Sequence, residues 1–293
     1  MGVAVQSHWF SVGSVVPWAE AGVGAVATQS MVEVSYGPLG LDLMRGGRTA
    51  IQALQALTAT DEGEALRQVA MIDAAGNVST HTGGRCIAEA GHVNGTAPDG
   101  SAYSCQANLM EKKSVPSVME QAFRNAPAKT PLAERMMLAL HAAQDDGGDI
   151  RGKQSCAILV VRAESTGRSW EDRVVDLRVE DAPDPLTEMD RLLKLQRAYD
   201  HMNAGDRAME IDDIADALKE YNEARKLAPG NAEMAFWTAV SLINAGEIEK
   251  AEPLLRDCYK DTKGNWRETL SRLPQSGLLD ADQETVIRLT QLK

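Results

Sequence analysis

The chain has 293 residues, 44% hydrophobic and 25% charged, enough apolar material for one large core or two smaller ones. Forty-two acidic against 30 basic side chains give a formal net charge of −12. That average field repels phosphate backbones and no Lys/Arg cluster overrides it, so nucleic acid is excluded as an expected partner.

No stretch approaches the roughly 18 apolar residues of a membrane span, and no basic segment leads an apolar run at the start. A cytoplasmic chain without membrane contact is the expectation. Cys86, Cys105, Cys156 and Cys258 form no CxxC pair, and the five histidines fall in no HxH or HExxH spacing. Reduced thiols, no metal site and no cofactor follow.

In chain order, residues 2–10 and 11–16 read as paired strands, and 22–29 as a third. Ser35-Tyr36-Gly37-Pro38 turns the chain into helical segments at 39–45 and 49–57, separated by Gly46-Gly47. Strands return at 67–73 and 77–82, joined by a short loop containing Gly76. Two more follow near 91–95 and 102–107. Two helices come next. Ser117 and Glu120 fit a capping box, and Thr130-Pro131 opens the second helix with Thr at the N-cap. Residues 155–162 and 173–179 are strands. The apolar run CAILVV has the composition of a strand buried on both faces.

The segment EDAPDP at 180–185 combines acids with two prolines and reads as a linker. It divides the chain into a mixed α/β region, 1–182, and a helical region, 186–293. In the second region Ala217 and Ala251 lie one tetratricopeptide period apart, with Tyr221, Ala224 and Pro229 placed as that repeat requires. The alternative is a helical bundle with accidental spacing.

Several segments together resemble one bacterial family: GVAVQSHWFSVGSVVPWAEAGVGAVATQ, SYGPLGLDLMRGG, RQVAMIDAAGNVSTHTG, SCQANLM, LAERMMLALHAAQDDGGDIRGKQSCAILVVR and DRVVDLRVEDAPDP. They cover nearly all of residues 1–185 in order. The family is "domain of unknown function 1028", placed by fold among N-terminal-nucleophile hydrolases, the proteasome-type architecture. The resemblance implies a four-layer αββα sandwich, here followed by an all-α tetratricopeptide-like domain. It also implies an earlier strand that opens with the catalytic Thr, Ser or Cys. That strand is not among these residues, and removing Met1 exposes only Gly2, so the α/β domain is expected to be incomplete at its N-terminus.

An N-terminal nucleophile uses its own α-amine as base, and the site then needs a cation or amide for the oxyanion. The polar segment 149–155, just before a buried strand, holds such groups. Asp149, Lys153 and Ser155 resemble the residues that support the nucleophile, and Asn108 is the candidate oxyanion donor. The bland reading of 149–155 is a charged loop capping the preceding helix. Ser7, His8, Thr28 and Gln29 end strands where a substrate pocket is implied; equally, they satisfy neighbouring backbone.

Cys105 with His81 or His92 as base is a weaker arrangement, since nothing in the sequence joins them. Gly22-Val23-Gly24-Ala25-Val26-Ala27 matches GxGxxA, but AVATQS continues as strand and enters no helix, so a dinucleotide site is rejected. The expectation is therefore an amide-bond hydrolase of the N-terminal-nucleophile type, acting on a small amide or peptide-like molecule, with its nucleophile outside these residues. The alternative is a non-catalytic scaffold that binds a protein partner through its helical repeats. Self-association through helical faces is a further candidate interaction.

Overall fold

The protein is described by a computed structural model covering residues 1–211, 213–261 and 263–293. It is a mixed α/β chain with antiparallel sheets and a helical C-terminal region. It divides into two compact units, Met1–Asp190 and Arg191–Lys293. Among the described residues no helix is long and apolar enough to cross a membrane.

The first unit contains three sheets. One has the order β1 (Gly2–Ser7), β8 (Ser155–Val161), β9 (Arg173–Val179). The second runs β2 (Pro17–Glu20), β3 (Gly24–Ser30), β4 (Arg67–Asp73), β5 (Val78–Thr82). The third pairs β6 (Gly91–Thr96) with β7 (Ala102–Ala107). Every ladder is antiparallel. All seven residues of β8 are buried, as its apolar run requires.

Alternation along β3 sends side chains to opposite faces. Val26 packs with Tyr36, Leu41 and Met44 of α1 (Tyr36–Arg45) and with Ala50, Ala53 and Leu54 of α2 (Ala50–Thr58). Ala25 and Ala27 join Val3 and Val5 of β1 and Ala157 of β8 in a separate buried cluster. Helix α3 (Val115–Arg124) lies against β6 and β7, and α4 (Leu132–Asp145) against β1 and β8. Asp73 ties α2 to the sheet, because its carboxylate accepts the Ala50 N–H at 2.9 Å. The same carboxylate accepts the Ala75 and Asn77 backbone N–H groups and so shapes the β4–β5 turn.

Three local expectations change. Residues 11–16 form no strand. Ser11 takes φ 55°, Val12–Ser14 is a 3-10 turn, and β1 pairs with β8 across more than a hundred residues. The reason is visible in the packing: Val12 and Val16, four apart, are both buried, and Gly13 sits so close to Ala157 that a Cβ would lie 2.7 Å from it. Helix α3 begins at Val115, so Ser117 is not its cap, and Glu120 instead accepts from the Tyr103 hydroxyl. A capping box does occur, at Thr49 and Gln52 of α2. Helix α4 is capped one residue later than expected, at Pro131, because the Thr130 hydroxyl turns back to the Pro127 carbonyl.

Helix α6 (Pro185–Glu210) spans the boundary between the units. The second unit continues with α7 (Ile214–Leu227), α8 (Ala232–Asn244) and α9 (Ile248–Cys258). Two shorter helices follow, α10 (Trp266–Arg272) and α11 (Gln283–Thr290). Helices α7 and α9 begin 34 residues apart, and their matched positions Ala217/Ala251, Tyr221/Leu255 and Ala224/Cys258 are all buried. Gly205 lets the Tyr221 ring approach, since a Cβ there would lie 2.4 Å from it.

Candidate functional site

Strand β1 is an edge. Met1 exchanges backbone hydrogen bonds with Val161, at 2.9 and 2.8 Å. Antiparallel alternation then turns Val3 and Val5 toward β8 and leaves the backbone N–H and C=O groups of Gly2, Ala4 and Gln6 facing the open side. Two cavities lie along that side. One, of about 340 Å³, runs past Met1–Ala4 and Ala102–Gln106. The other, of about 540 Å³, runs past Ala4–Ser7 and Gln106–Met110 and ends at Asp149 and Arg151. The two share Ala4, Ser104, Gln106, Met119 and Leu140.

The polar end of the larger cavity is built by loops. Asp149 follows Gly147 and Gly148, both at positive φ, and is held to the β7–α3 connection by the Ile150 N–H donating to the Leu109 carbonyl at 2.9 Å. Its buried carboxylate accepts the Arg151 backbone N–H at 2.9 Å and the Arg151 guanidinium at 3.0 and 2.7 Å. Burial pushes the Asp149 carboxyl up, but the bonds and charge of Arg151, with the His8 N–H, outweigh burial and hold it below the ordinary range. The guanidinium is shifted up in turn, chiefly by its bond to Asp149.

Four carboxamide residues line the same cavity, Gln6, Gln29, Gln106 and Asn108, and two of them, Gln29 and Asn108, are tied to Gln68 behind it. Gln68, fully buried in β4, donates to Thr82 Oγ1 and to the Gly91 and Ala107 carbonyls at 2.9 to 3.1 Å. Its own Oε1 accepts from Gln29 Nε2 at 2.8 Å and Asn108 Nδ2 at 3.0 Å. Gln29 and Asn108 are thus fixed in orientation, and each amide nitrogen keeps a second N–H.

Backbone strain collects here. Ser30 (φ 71°) and Leu109 (φ 59°) both line the larger cavity, and Ser11 (φ 55°) follows its Trp9 by two residues. Such conformations persist only where the surroundings enforce them.

The structure therefore brings Asp149, Asn108, Ser7 and Gln29 together around one cavity. The Ser7 hydroxyl lies 3.5 Å from the Arg151 guanidinium. The other four candidates lie outside its lining. Lys153 pairs with Asp184 at 3.2 Å. Ser155 is buried, donates to the Trp9 carbonyl and accepts the Val12 N–H at 3.1 Å, so it pins the loop after β1. Thr28 is buried and donates to the Glu33 carbonyl at 3.1 Å, closing the turn after β3. The exposed His8 contributes its backbone N–H to Asp149 at 3.4 Å.

Arg151, Gln68 and Trp9 were not singled out from the sequence. Gln68 had a legible signal, a lone amide within the strand RQVAMI that must find partners if buried. Arg151 had a weaker one, two residues after Asp149 in a Gly-rich loop. Cys105 is buried, its thiol is pushed up to about 12 by that burial, and among the described residues no histidine bonds to it. His81 bonds instead to Glu64, and His92 to Thr82. No group of three or more His, Cys, Asp or Glu among the described residues is placed to hold a metal ion.

No curated protein matches the chain. The crystal structure of protein SPO2555 from Silicibacter pomeroyi, assigned to DUF1028, is similar at 27% identity with a TM-score of 0.56, covering 66% of this chain and 81% of that one. The model of the same family, described only as a family of unknown function, matches residues 1–189. The chain belongs to the DUF1028 family.

Proposed function

We propose that the Met1–Asp190 unit is an amide-bond hydrolase of the N-terminal-nucleophile type, built as a four-layer αββα sandwich. The observation that carries this reading is one cavity, beside the open edge of β1, that joins a buried carboxylate paired with an exposed guanidinium, a hydroxyl and two fixed carboxamides. The layering draws support from α1 and α2 packing on the β3–β4 face, and from α4 lying against β1 and β8.

Among the described residues Ser7, the cavity hydroxyl nearest Arg151, has no bond to a base. The attacking hydroxyl or thiol is therefore assigned to the first residue of a strand paired along the open edge of β1. Running antiparallel, such a strand brings its N-terminus to the Ser7–Asp149 end, and its free α-amine takes the nucleophile's proton. Asp149, ionised at neutral pH, stabilises the ammonium that results. The spare N–H groups of Asn108 and Gln29 donate to the oxyanion. Lys153 and Ser155 act at a distance, by fixing the loops that frame the cavity.

The test is turnover of small amides by protein isolated from its own cell and mapped at its N-terminus. Asp149→Asn is expected to lower kcat by about 100-fold or more, as loss of a single preorganised group does elsewhere, whereas Lys153→Ala, which loosens a framing loop only, lowers it severalfold. Equal turnover by wild type and Asp149→Asn would sink the proposal.

A second reading, a protein-interaction module acting through tetratricopeptide-like helices, is favoured by the 34-residue offset between α7 and α9. Partner binding that survives Asp149→Asn, with no turnover by either form, would select it.

A further inference from the structure

The opening of the larger cavity has an unusual composition. Trp9, Met31, Val34 and Ile87 all line it and are 60%, 54%, 38% and 51% exposed. A side chain lines a cavity and keeps that much surface in solvent only at the opening. Four large apolar groups around one mouth form a recognition surface rather than scattered exposure. The charged groups among the lining residues are the buried Asp149 and the exposed Arg151, of opposite sign and paired at 2.7 Å. The Gln6 side-chain nitrogen, on the same wall, is buried and without a partner among the described residues.

We infer that this cavity takes a neutral amide carrying a large apolar side chain and discriminates against glycine-sized and charged analogues. The inference rests on the amide reading of the site above and names its substrate class. The ion pair leaves no net charge to hold an anion or a cation, so a charged ligand loses its hydration without compensation. The amide is received by Gln29, Asn108 and Gln6, whose unused N–H groups match a carbonyl. The apolar group covers Trp9, Met31, Val34 and Ile87, and removing that surface from water supplies the preference.

The experiment titrates the full chain with N-acetyl-L-phenylalaninamide, N-acetyl-L-leucinamide, N-acetylglycinamide and N-acetyl-L-lysinamide. Binding is read by saturation-transfer NMR and by tryptophan fluorescence. The phenylalanine and leucine amides are expected to bind at least about tenfold more tightly than the glycine amide, the scale of discrimination a hydrophobic pocket gives. Trp9→Ala and Ile87→Ser, both at exposed positions, should each cut that ratio severalfold, weakening the phenylalanine and leucine amides more than the glycine amide. Gln29→Ala should weaken all four probes together.

Equal affinity for the glycine and phenylalanine amides, tighter binding of the lysine amide, or no binding of any probe overturns the inference. So does an unchanged ratio in both rim variants. An apolar preference without turnover keeps this inference and removes the hydrolase. Turnover without that preference does the reverse.

Discussion

Asp149 has a structural role and, in the proposed mechanism, a chemical one. Its carboxylate accepts from three Arg151 donors and from His8, and its pKa lies below the ordinary 3.8. A depressed acid stabilises the fold above its unfolded pKa, and that contribution disappears as pH falls through the folded value. Asp149→Asn is therefore expected to cost about 1–3 kcal/mol at pH 7. The difference from wild type should shrink below the ordinary carboxylate value, as urea melts at stepped pH will show. The acid limb of any activity profile that comes from Asp149 should likewise lie below 3.8. Ser30, at φ 71°, gives a second residue-level test. Ser30→Gly should change stability by less than about 1 kcal/mol, since relieved strain offsets added chain entropy, whereas Ser30→Val should cost about 1–2 kcal/mol or more. Asp149 was legible in the sequence as part of the polar segment before β8, and Ser7 and Gln29 as polar groups at strand ends. Arg151 was harder to single out, because a loop arginine turns inward or outward according to the carboxylate that folding places beside it.

Among the elements, helix α1 is placed by its glycines. A Cβ on Gly37 would lie 2.4 Å from the Trp18 ring, and one on Gly40 would lie 2.8 Å from Met71. Gly37→Ala is expected to destabilise by about 1–3 kcal/mol, the usual cost of overpacking, despite alanine's better helix propensity. Thermal melts of Gly37→Ala beside the exposed control Gly46→Ala separate the two effects. Elements with a strong local signal were legible. The β4–β5 hairpin carries a Gly turn, β8 is a continuous apolar run, and α4 ends before a Gly pair. Residues 11–16 were misread because their valines suit a strand. The 3-10 turn there is enforced by the Gly13–Ala157 approach and by the Ser155 hydroxyl, both contributed from the far end of the unit.

At the scale of the whole molecule, each unit has its own buried clusters. Leu255, fully buried in α9, belongs to a cluster formed entirely by the helical unit. Leu255→Ala should cost that unit about 2–5 kcal/mol by cavity formation. Binding of N-acetyl-L-phenylalaninamide to the Met1–Asp190 unit should stay unchanged at temperatures where both units remain folded; calorimetry and probe titration on the same variant will check this. By itself, the sequence determined the acidic character of the chain, its lack of a long apolar run, its family, the mixed α/β nature of the first region and the helical nature of the second. These follow from composition, from segments quoted in order and from periodicities spanning a few residues. Only the tertiary structure decided that β1 pairs with β8, that β1 remains an edge, and that Asp149, Arg151, Ser7, Gln29 and Asn108 surround one cavity. Those facts depend on contacts between residues as much as 160 positions apart, and no local pattern of side chains carries that information.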